Sequence, residues 1–195
     1  MSEDFKRVLK TQLWNIANTL RGKMNADEFR DYILGFIFYK YLSEKMNIFA
    51  DEILKQDGIK FMDITEKTEN GKEFIEAIKE EALEKLGYFL KPEELFKEVA
   101  KRGKGDNEDD TEEFDESKTK FIIEDLQKIL NNIQMSTMGN SEEDYQNLFE
   151  DMDLNSTKLG KTPEARNAII AKVLTHLDKI DLKLSGTSIP TCIWV

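Results

Sequence analysis

The 195-residue sequence predicts an all-α protein, a multi-helix bundle of about seven helices with one acidic mobile loop. Apolar residues recur at spacings of three and four along most of the chain, which is the period of an amphipathic helix. No stretch shows the alternation of apolar and polar residues, bounded by turns, that is typical of a strand. The apolar content of 39% is enough to form a hydrophobic core. We expect one helical domain over 1–182.

The first two helices are predicted from an apolar stripe and from a helix start. The stripe ends at Gly22 and consists of Leu9, Leu13, Ile16 and Leu20. Asn25 with Glu28 three residues later has the form of a capping box, which opens the second helix. Residues 29–42 are apolar on nearly every face, so we expect them to form the buried centre of the domain. Gly35 within this segment predicts close packing of a neighbouring backbone.

The middle and the end of the chain are predicted to hold shorter helices. Glycine turns divide a connector over 56–71 and end the third helix, at Asp57-Gly58, Asn70-Gly71 and Gly87. Pro92 favours the start of a short fourth helix, and residues 122–133 form another apolar stripe. Ser141 would cap one further helix, and Thr162 followed by Pro163 marks the start of the last one.

The charge is strongly asymmetric although the whole chain carries −11. Residues 5–48 and 156–195 are net positive, whereas residues 49–155 are net negative. Eight of the eleven residues 106–116 are acidic, so we expect 103–117 to be a mobile loop rather than a cation site, since the spacing is not that of an EF-hand. The basic ends suggest an anionic partner, although acidic helices that keep the chain soluble would give the same pattern.

Composition excludes most enzyme classes. One cysteine and one histidine are too few for a His/Cys zinc site or a disulfide framework. The G-x-G at 103–105 precedes an acidic tract, so it cannot cradle a phosphate. We find neither a basic-apolar leader nor an apolar run long enough for a membrane span, and we expect a cytoplasmic protein.

Two consecutive motifs resemble a known family. Residues 13–24 follow the pattern L-W-x-x-A-x-x-L-R-G-x-M, and residues 33–43 follow I-L-G-x-I-F-x-K-Y-L-S. Both are similar to the N-terminal helical domain of the modification (methyltransferase) subunit of type I restriction–modification systems. The resemblance covers roughly residues 10–180, with shorter matches at 87–89, 148–154, 156–160 and in the helix over 166–177.

The resemblance implies a function for a longer protein. The whole subunit would be an adenine-N6 DNA methyltransferase that uses S-adenosylmethionine, with two modification subunits on one specificity subunit, with or without restriction subunits. Its catalytic domain would follow the helical domain, which helps to hold DNA and the other subunits. No position here matches the family's cofactor loop or its Asn-Pro-Pro-Phe motif. We therefore assign no catalytic, cofactor or metal residue and expect no catalysis by this chain alone.

Residues 183–195 depart from the family pattern. We expect them to be an atypical tail of a truncated or frameshifted product, or of a stand-alone helical adaptor or regulatory protein. An enzyme with carboxylates around the acidic tract is a third and much weaker hypothesis. An S-adenosylmethionine-binding loop encoded downstream of this sequence would favour the truncated or frameshifted product over the stand-alone adaptor.

Four basic residues are the candidates for contact with DNA: Arg21, Lys23, Lys158 and Lys161. Each pair lies in a glycine-containing turn just before a predicted helix, where backbone can approach a phosphate and the helix dipole attracts it. Ordinary solvated lysines in turns would give the same pattern. The DNA target sequence would belong to the specificity subunit.

Overall fold

Six α-helices and no strand occur in the described part of the chain, residues 3–105, 119–137, 149 and 152–182 of a computed structural model. The predicted all-α class is therefore confirmed. The helices, numbered α1 to α6 in chain order, are Glu3–Leu20, Ala26–Ile53, Glu69–Lys85, Phe96–Lys104, Ile123–Thr137 and Pro163–Asp178. Three 3₁₀ turns lie between them, at Leu54–Gln56, Phe61–Asp63 and Pro92–Glu94.

The helix ends that the sequence predicts most clearly are confirmed. The Glu28 amide donates to Asn25 Oδ1 at 2.9 Å, and the Asn25 amide donates to Glu28 Oε2 at 3.2 Å, which completes the capping box of α2. The Ala165 amide donates to Thr162 Oγ1 at 3.2 Å, which caps α6. These hydrogen bonds satisfy amides that have no partner within their own helix.

Helix α2 forms the centre of the core. Seven of its apolar side chains are buried: Tyr32, Ile33, Phe36, Tyr39, Leu42, Met46 and Ala50. The predicted burial of 29–42 holds for most faces of the helix but not for all of them. Leu34 is 56% exposed, and Ile37 is only partly buried. One side of α2 therefore faces solvent beside α1.

Polar groups along α2 fix the segments that pack on it. Tyr39 Oη donates to the Glu94 carbonyl at 2.5 Å, and the Phe96 amide donates to Ser43 Oγ at 2.6 Å. The buried Lys40 ammonium lies 2.7 Å from Glu44 Oε1 and 5.2 Å from the centre of the Phe96 ring. A buried polar group without a partner would cost free energy of folding. These contacts therefore determine the positions of the 3₁₀ turn at Pro92–Glu94 and of α4.

Helix α6 packs against both α4 and α1. Gly103 allows the close approach of α4, because a Cβ there would lie 3.1 Å from Ala171 Cβ and 2.9 Å from Ile122 Cδ1. The buried Asn167 joins α6 to the residues before α5, since its Oδ1 accepts from the Ile122 amide at 2.8 Å. These contacts join α1, α4, α6 and the residues before α5 into one core.

Several predicted boundaries are wrong for local reasons. Asn70-Gly71 is not a turn but the first turn of α3, capped by Thr68 Oγ1, which accepts from the Gly71 amide at 3.1 Å. Pro92 begins a 3₁₀ turn, and α4 begins four residues later. The acidic loop cannot begin at 103, because α4 continues to Lys104.

Three other predictions lie outside the described residues. They are the acidic tract 106–116, the helix capped by Ser141 and the tail 183–195.

Gly35 is explained by a side chain rather than by the backbone contact predicted from sequence. A Cβ at Gly35 would lie 1.8 Å from Met152 Sδ, and Met152 is itself buried. The thioether of Met152 therefore occupies the space that any larger residue at position 35 would need.

We predict that the effect of Gly35→Ala on the free energy of unfolding changes sign with the residue at 152. Alanine alone should destabilise the protein, because the clash with buried Met152 outweighs the roughly 1 kcal/mol that alanine contributes to a helix interior. In a Met152→Ala background the same change should stabilise by up to about 1 kcal/mol. Chemical denaturation of the four proteins measures both values, and equal effects in the two backgrounds would contradict this packing.

Candidate nucleic-acid interface

The structure brings the loop that carries Lys158 and Lys161 to the start of α2, directly after the turn that carries Arg21 and Lys23. Lys158 forms an ion pair with Glu28 Oε1, across 130 residues of sequence. Glu28 belongs to the first turn of α2, directly after the turn that holds Arg21 and Lys23. The loop with Lys158 and Lys161 therefore lies beside the start of α2.

The loop over 152–162 is held against α2 and the core by its buried side chains and one hydrogen bond. Met152, Leu154 and Leu159 are buried, and the Tyr32 hydroxyl of α2 donates to the Asp153 carbonyl. The Asn155 amide donates to Asp153 Oδ1 at 2.9 Å, which stabilises the turn. Because its apolar residues are buried, the loop presents its lysines from a defined backbone position.

Each of the four cations has a different environment. Arg21 stacks over Trp14, with its guanidinium carbon 5.5 Å from the ring centre. Lys158 is paired with Glu28. Lys23 and Lys161 are exposed, and within the described ranges neither has an ion pair. Lys23 and Lys161 are thus the two candidates whose charge is least compensated.

The electrostatics at the start of α2 are mixed. Asp27 and Glu28 occupy the first turn, where they interact favourably with the positive end of the helix dipole. The ion pair and the capping hydrogen bond with Asn25 hold the pKa of Glu28 below its ordinary value. The start of α2 is therefore not a free anion site, and the positive charge lies in the flanking loops.

The two glycines have structural reasons other than the predicted approach to phosphate. Gly22 has φ of 74° and nothing close to its Cβ position, so it ends α1 in the left-handed conformation. A Cβ at Gly160 would lie 2.8 Å from both Ala165 Cβ and the Arg166 amide nitrogen. Gly160 therefore allows the loop to pass against the first turn of α6.

Sequence reasoning missed three residues that build this surface. The sequence predicts Glu28 only as part of a cap, and it predicts Tyr32 as part of the buried segment 29–42, where core or subunit contact is favoured over stacking with bases. It does not single out Arg166. Arg166 Nη1 donates to the Gly160 carbonyl at 3.2 Å and holds the loop against α6. Tyr32 and Glu28 lie one helical turn apart on α2, but no sequence pattern indicates that both contact residues 153–158.

The described residues contain no group of His, Cys, Asp or Glu side chains that could hold a metal ion. The single histidine, His176, has its Nδ1 3.1 Å from Gln12 Oε1, and burial lowers its pKa. This contact joins α6 to α1. Among the same residues, no helix is long and apolar enough to cross a membrane.

Comparison with known proteins gives a consistent result. Residues 9–177 match the family model described as the HsdM N-terminal domain. The chain is 30% identical over 179 residues to the type I restriction enzyme MpnII methylase subunit of Mycoplasma pneumoniae. The alignment covers 89% of this chain and 30% of that protein. A crystal structure of the type I restriction–modification methyltransferase subunit from Streptococcus thermophilus aligns over 93% of this chain and 35% of that one.

The structural match has a TM-score of 0.65 at 29% sequence identity. This chain spans about a third of the length of the relatives that it matches. The family match covers most of the chain, including α2, the 152–162 loop and α6 up to residue 177. The chain belongs to the HsdM N-terminal domain family, the helical N-terminal domain of type I restriction–modification methyltransferase subunits.

Proposed function

We propose that this domain contacts DNA as the non-catalytic N-terminal part of a site-specific adenine-N6 DNA methyltransferase. The whole subunit would use S-adenosylmethionine, bound outside this domain, and would assemble with a specificity subunit and a second modification subunit. Membership of the family and the names of the two relatives support this assignment. The specificity subunit would choose the DNA sequence, and this domain would bind the backbone.

One observation carries the proposed DNA contact, namely the ion pair between Lys158 and Glu28. It joins the 152–162 loop to the first turn of α2, which follows the turn with Arg21 and Lys23, and so supports one surface for cations from both basic ends of the chain. Contacts to phosphate fix the position of a protein on DNA without reading its sequence. Such contacts would suit a domain whose complex reads its target through another subunit.

The balance of charge predicts a weak interaction for the isolated domain. At most four cations are proposed to contact phosphate, and one of them is shared with Glu28. The chain as a whole carries −11, which opposes approach to DNA. The contacts would therefore contribute when the assembled complex already holds the DNA nearby.

Lys158 is proposed to act mainly by positioning the 152–162 loop. The Lys158 side chain is 54% exposed, so that it could reach a phosphate while it remains near Glu28. Reversing its charge would also disturb the start of α2. Lys23 and Lys161 are the better residues for testing contact with DNA, because their replacement breaks no ion pair among the described residues.

We predict that Lys23→Glu with Lys161→Glu weakens DNA binding by the assembled methyltransferase equally for target and non-target sequences. Each lost phosphate contact should reduce the slope of log affinity against log salt by about one unit, so the pair should reduce it by about two. Binding titrations over a series of salt concentrations give the slope.

The matched control is Lys67→Glu with Lys128→Glu, which makes the same change of net charge at two exposed lysines on other elements. This control should leave the slope close to that of the unchanged protein. Equal slopes for the test pair and the control pair would remove the proposed DNA contact.

We predict that Lys158→Met raises the pKa of Glu28 towards its ordinary value of 4.5, since the ion pair is the largest cause of the lowered value. A carboxyl whose pKa is lowered by folding stabilises the protein above its unfolded pKa, and this contribution is lost as pH falls through the folded pKa. Stability should therefore depend less on pH in the variant as the pH falls below the unfolded Glu pKa of about 4.3.

Carbon-detected NMR titration of the Glu28 carboxyl measures this pKa directly. Lys161→Met is the control, because Lys161 does not contribute to the lowered pKa of Glu28 and its replacement should leave the titration unchanged. If Lys158→Met also leaves it unchanged, the ion pair does not join the 152–162 loop to α2 in solution.

A further inference from the structure

An open apolar groove runs between α1 and α2, with a volume of about 620 Å³. Its floor is formed by large apolar side chains from both helices: Leu9, Leu13, Trp14, Phe29, Ile33 and Leu34. Two of these are strongly exposed, Trp14 at 60% and Leu34 at 56%. Exposed large apolar side chains that adjoin one another are uncommon on a soluble domain and mark interaction sites.

The groove exists because α1 and α2 diverge. Helix α1 packs mainly against α6 and makes few contacts with α2, although only a short turn around Gly22 joins the two helices. The facing sides of α1 and α2 therefore remain apolar and cover each other only in part, since Ile33 is buried whereas Trp14 and Leu34 are exposed. Within the described residues, nothing else lines this groove.

The rim of the groove is basic. Lys6, Lys10 and Arg30 line it, and no acidic residue does so, in a chain whose net charge is −11. Lys6 pairs with Glu3 at 2.9 Å, and Arg30 pairs with Asp31 at 3.0 Å and Asp27 at 3.3 Å, whereas Lys10 has no ion pair among the described residues. The lysine and arginine side chains of these pairs are more than half exposed, so the pairs contribute little and can exchange for carboxylates of a partner.

We propose that this groove binds an acidic amphipathic helix of a partner protein. The part of α1 that lines the groove extends from Lys6 to Ala17, which is about three helical turns. A partner helix with apolar residues at i, i+3 or i+4 and i+7 would cover the floor, and its acidic flanks would meet the three rim cations. This proposal does not depend on the DNA contact proposed above.

The chemistry of the floor favours a helix over a nucleic acid. Leu9, Leu13 and Ile33 have no hydrogen-bond donors for phosphate, and burying a charged backbone against them would be unfavourable. The leucines of an amphipathic helix would instead gain from leaving water, by roughly 25 cal/mol per Å² of apolar area. The basic rim provides the preference for acidic over basic partners.

Trp14 provides a direct probe of this groove. We would use the full chain with Trp194→Phe, so that Trp14 is the single tryptophan. The ligands are two synthetic amphipathic helical peptides of about 14 residues with identical leucine positions, one with Glu and one with Lys on the polar face. The acidic peptide should shift the Trp14 emission to shorter wavelength, and the basic peptide should bind at least about tenfold more weakly.

Leu34→Glu should weaken binding of the acidic peptide by about tenfold or more, because it places a like charge in the floor. Met135→Glu is the matched control, since Met135 is an equally exposed apolar residue on α5, at 67%, and lies outside the groove. It should change the affinity less than about twofold. Circular dichroism confirms that both variants remain folded.

Three results would overturn the proposal. The first is equal binding of the acidic and basic peptides, and the second is equal binding of the acidic peptide to the Leu34→Glu and Met135→Glu variants. The third is a shift of Trp14 emission by a thymidine oligonucleotide but not by the acidic peptide, which would assign the groove to nucleic acid.

Discussion

The burial of α2 is the constraint on which the rest of this domain depends. A helix that is apolar on most of its faces cannot remain at a surface, so other segments must cover it. Its buried polar groups restrict how they can do so. Tyr39 Oη, Ser43 Oγ and the Lys40 ammonium each require a particular partner, and they obtain it from the 3₁₀ turn before α4, from the Phe96 amide and from Asp178 of α6, whose carboxylate lies 3.9 Å from the ammonium.

The same constraint shapes the proposed DNA-contacting surface. The 152–162 loop covers the first half of α2, with Met152 above Gly35 and the Asp153 carbonyl bonded to the Tyr32 hydroxyl. Packing of the core therefore brings Lys158 to Glu28 as a consequence. The side of α2 around Leu34 is left uncovered by this arrangement, and it forms one wall of the basic-rimmed groove.

Local features of the fold could be predicted from the sequence, whereas long-range contacts could not. The capping box at Asn25, the start of α6 at Thr162 and the end of α1 at Gly22 depend on neighbouring residues, and the structure confirms all three. The prediction of a turn at Asn70-Gly71 is wrong, because it depends on the usual preference of the Asn-Gly pair for turns. Here Gly71 is required inside α3, where a Cβ would lie 2.0 Å from the Thr65 carbonyl oxygen.

The candidate site shows the same division. The four basic residues could be chosen from charge and glycine spacing, but the sequence does not show which residues Arg21 and Lys158 contact. Arg21, just after the end of α1, stacks on Trp14 of that helix, and Lys158 pairs with a residue 130 positions away. Periodicity also could not show that Leu34 is exposed, because an apolar residue on an apolar helix carries no sign of which face the tertiary structure leaves open.

The central claim is that the start of α2 and the 152–162 loop form one surface that meets DNA in the assembled methyltransferase. Hydrogen–deuterium exchange of that complex, with and without DNA, tests it most directly. The account predicts slower exchange on DNA binding in peptides that cover 20–25 and 156–162 together, and no change in α3 at Glu69–Lys85. Protection of α3, or of only one of the two loops, would contradict it.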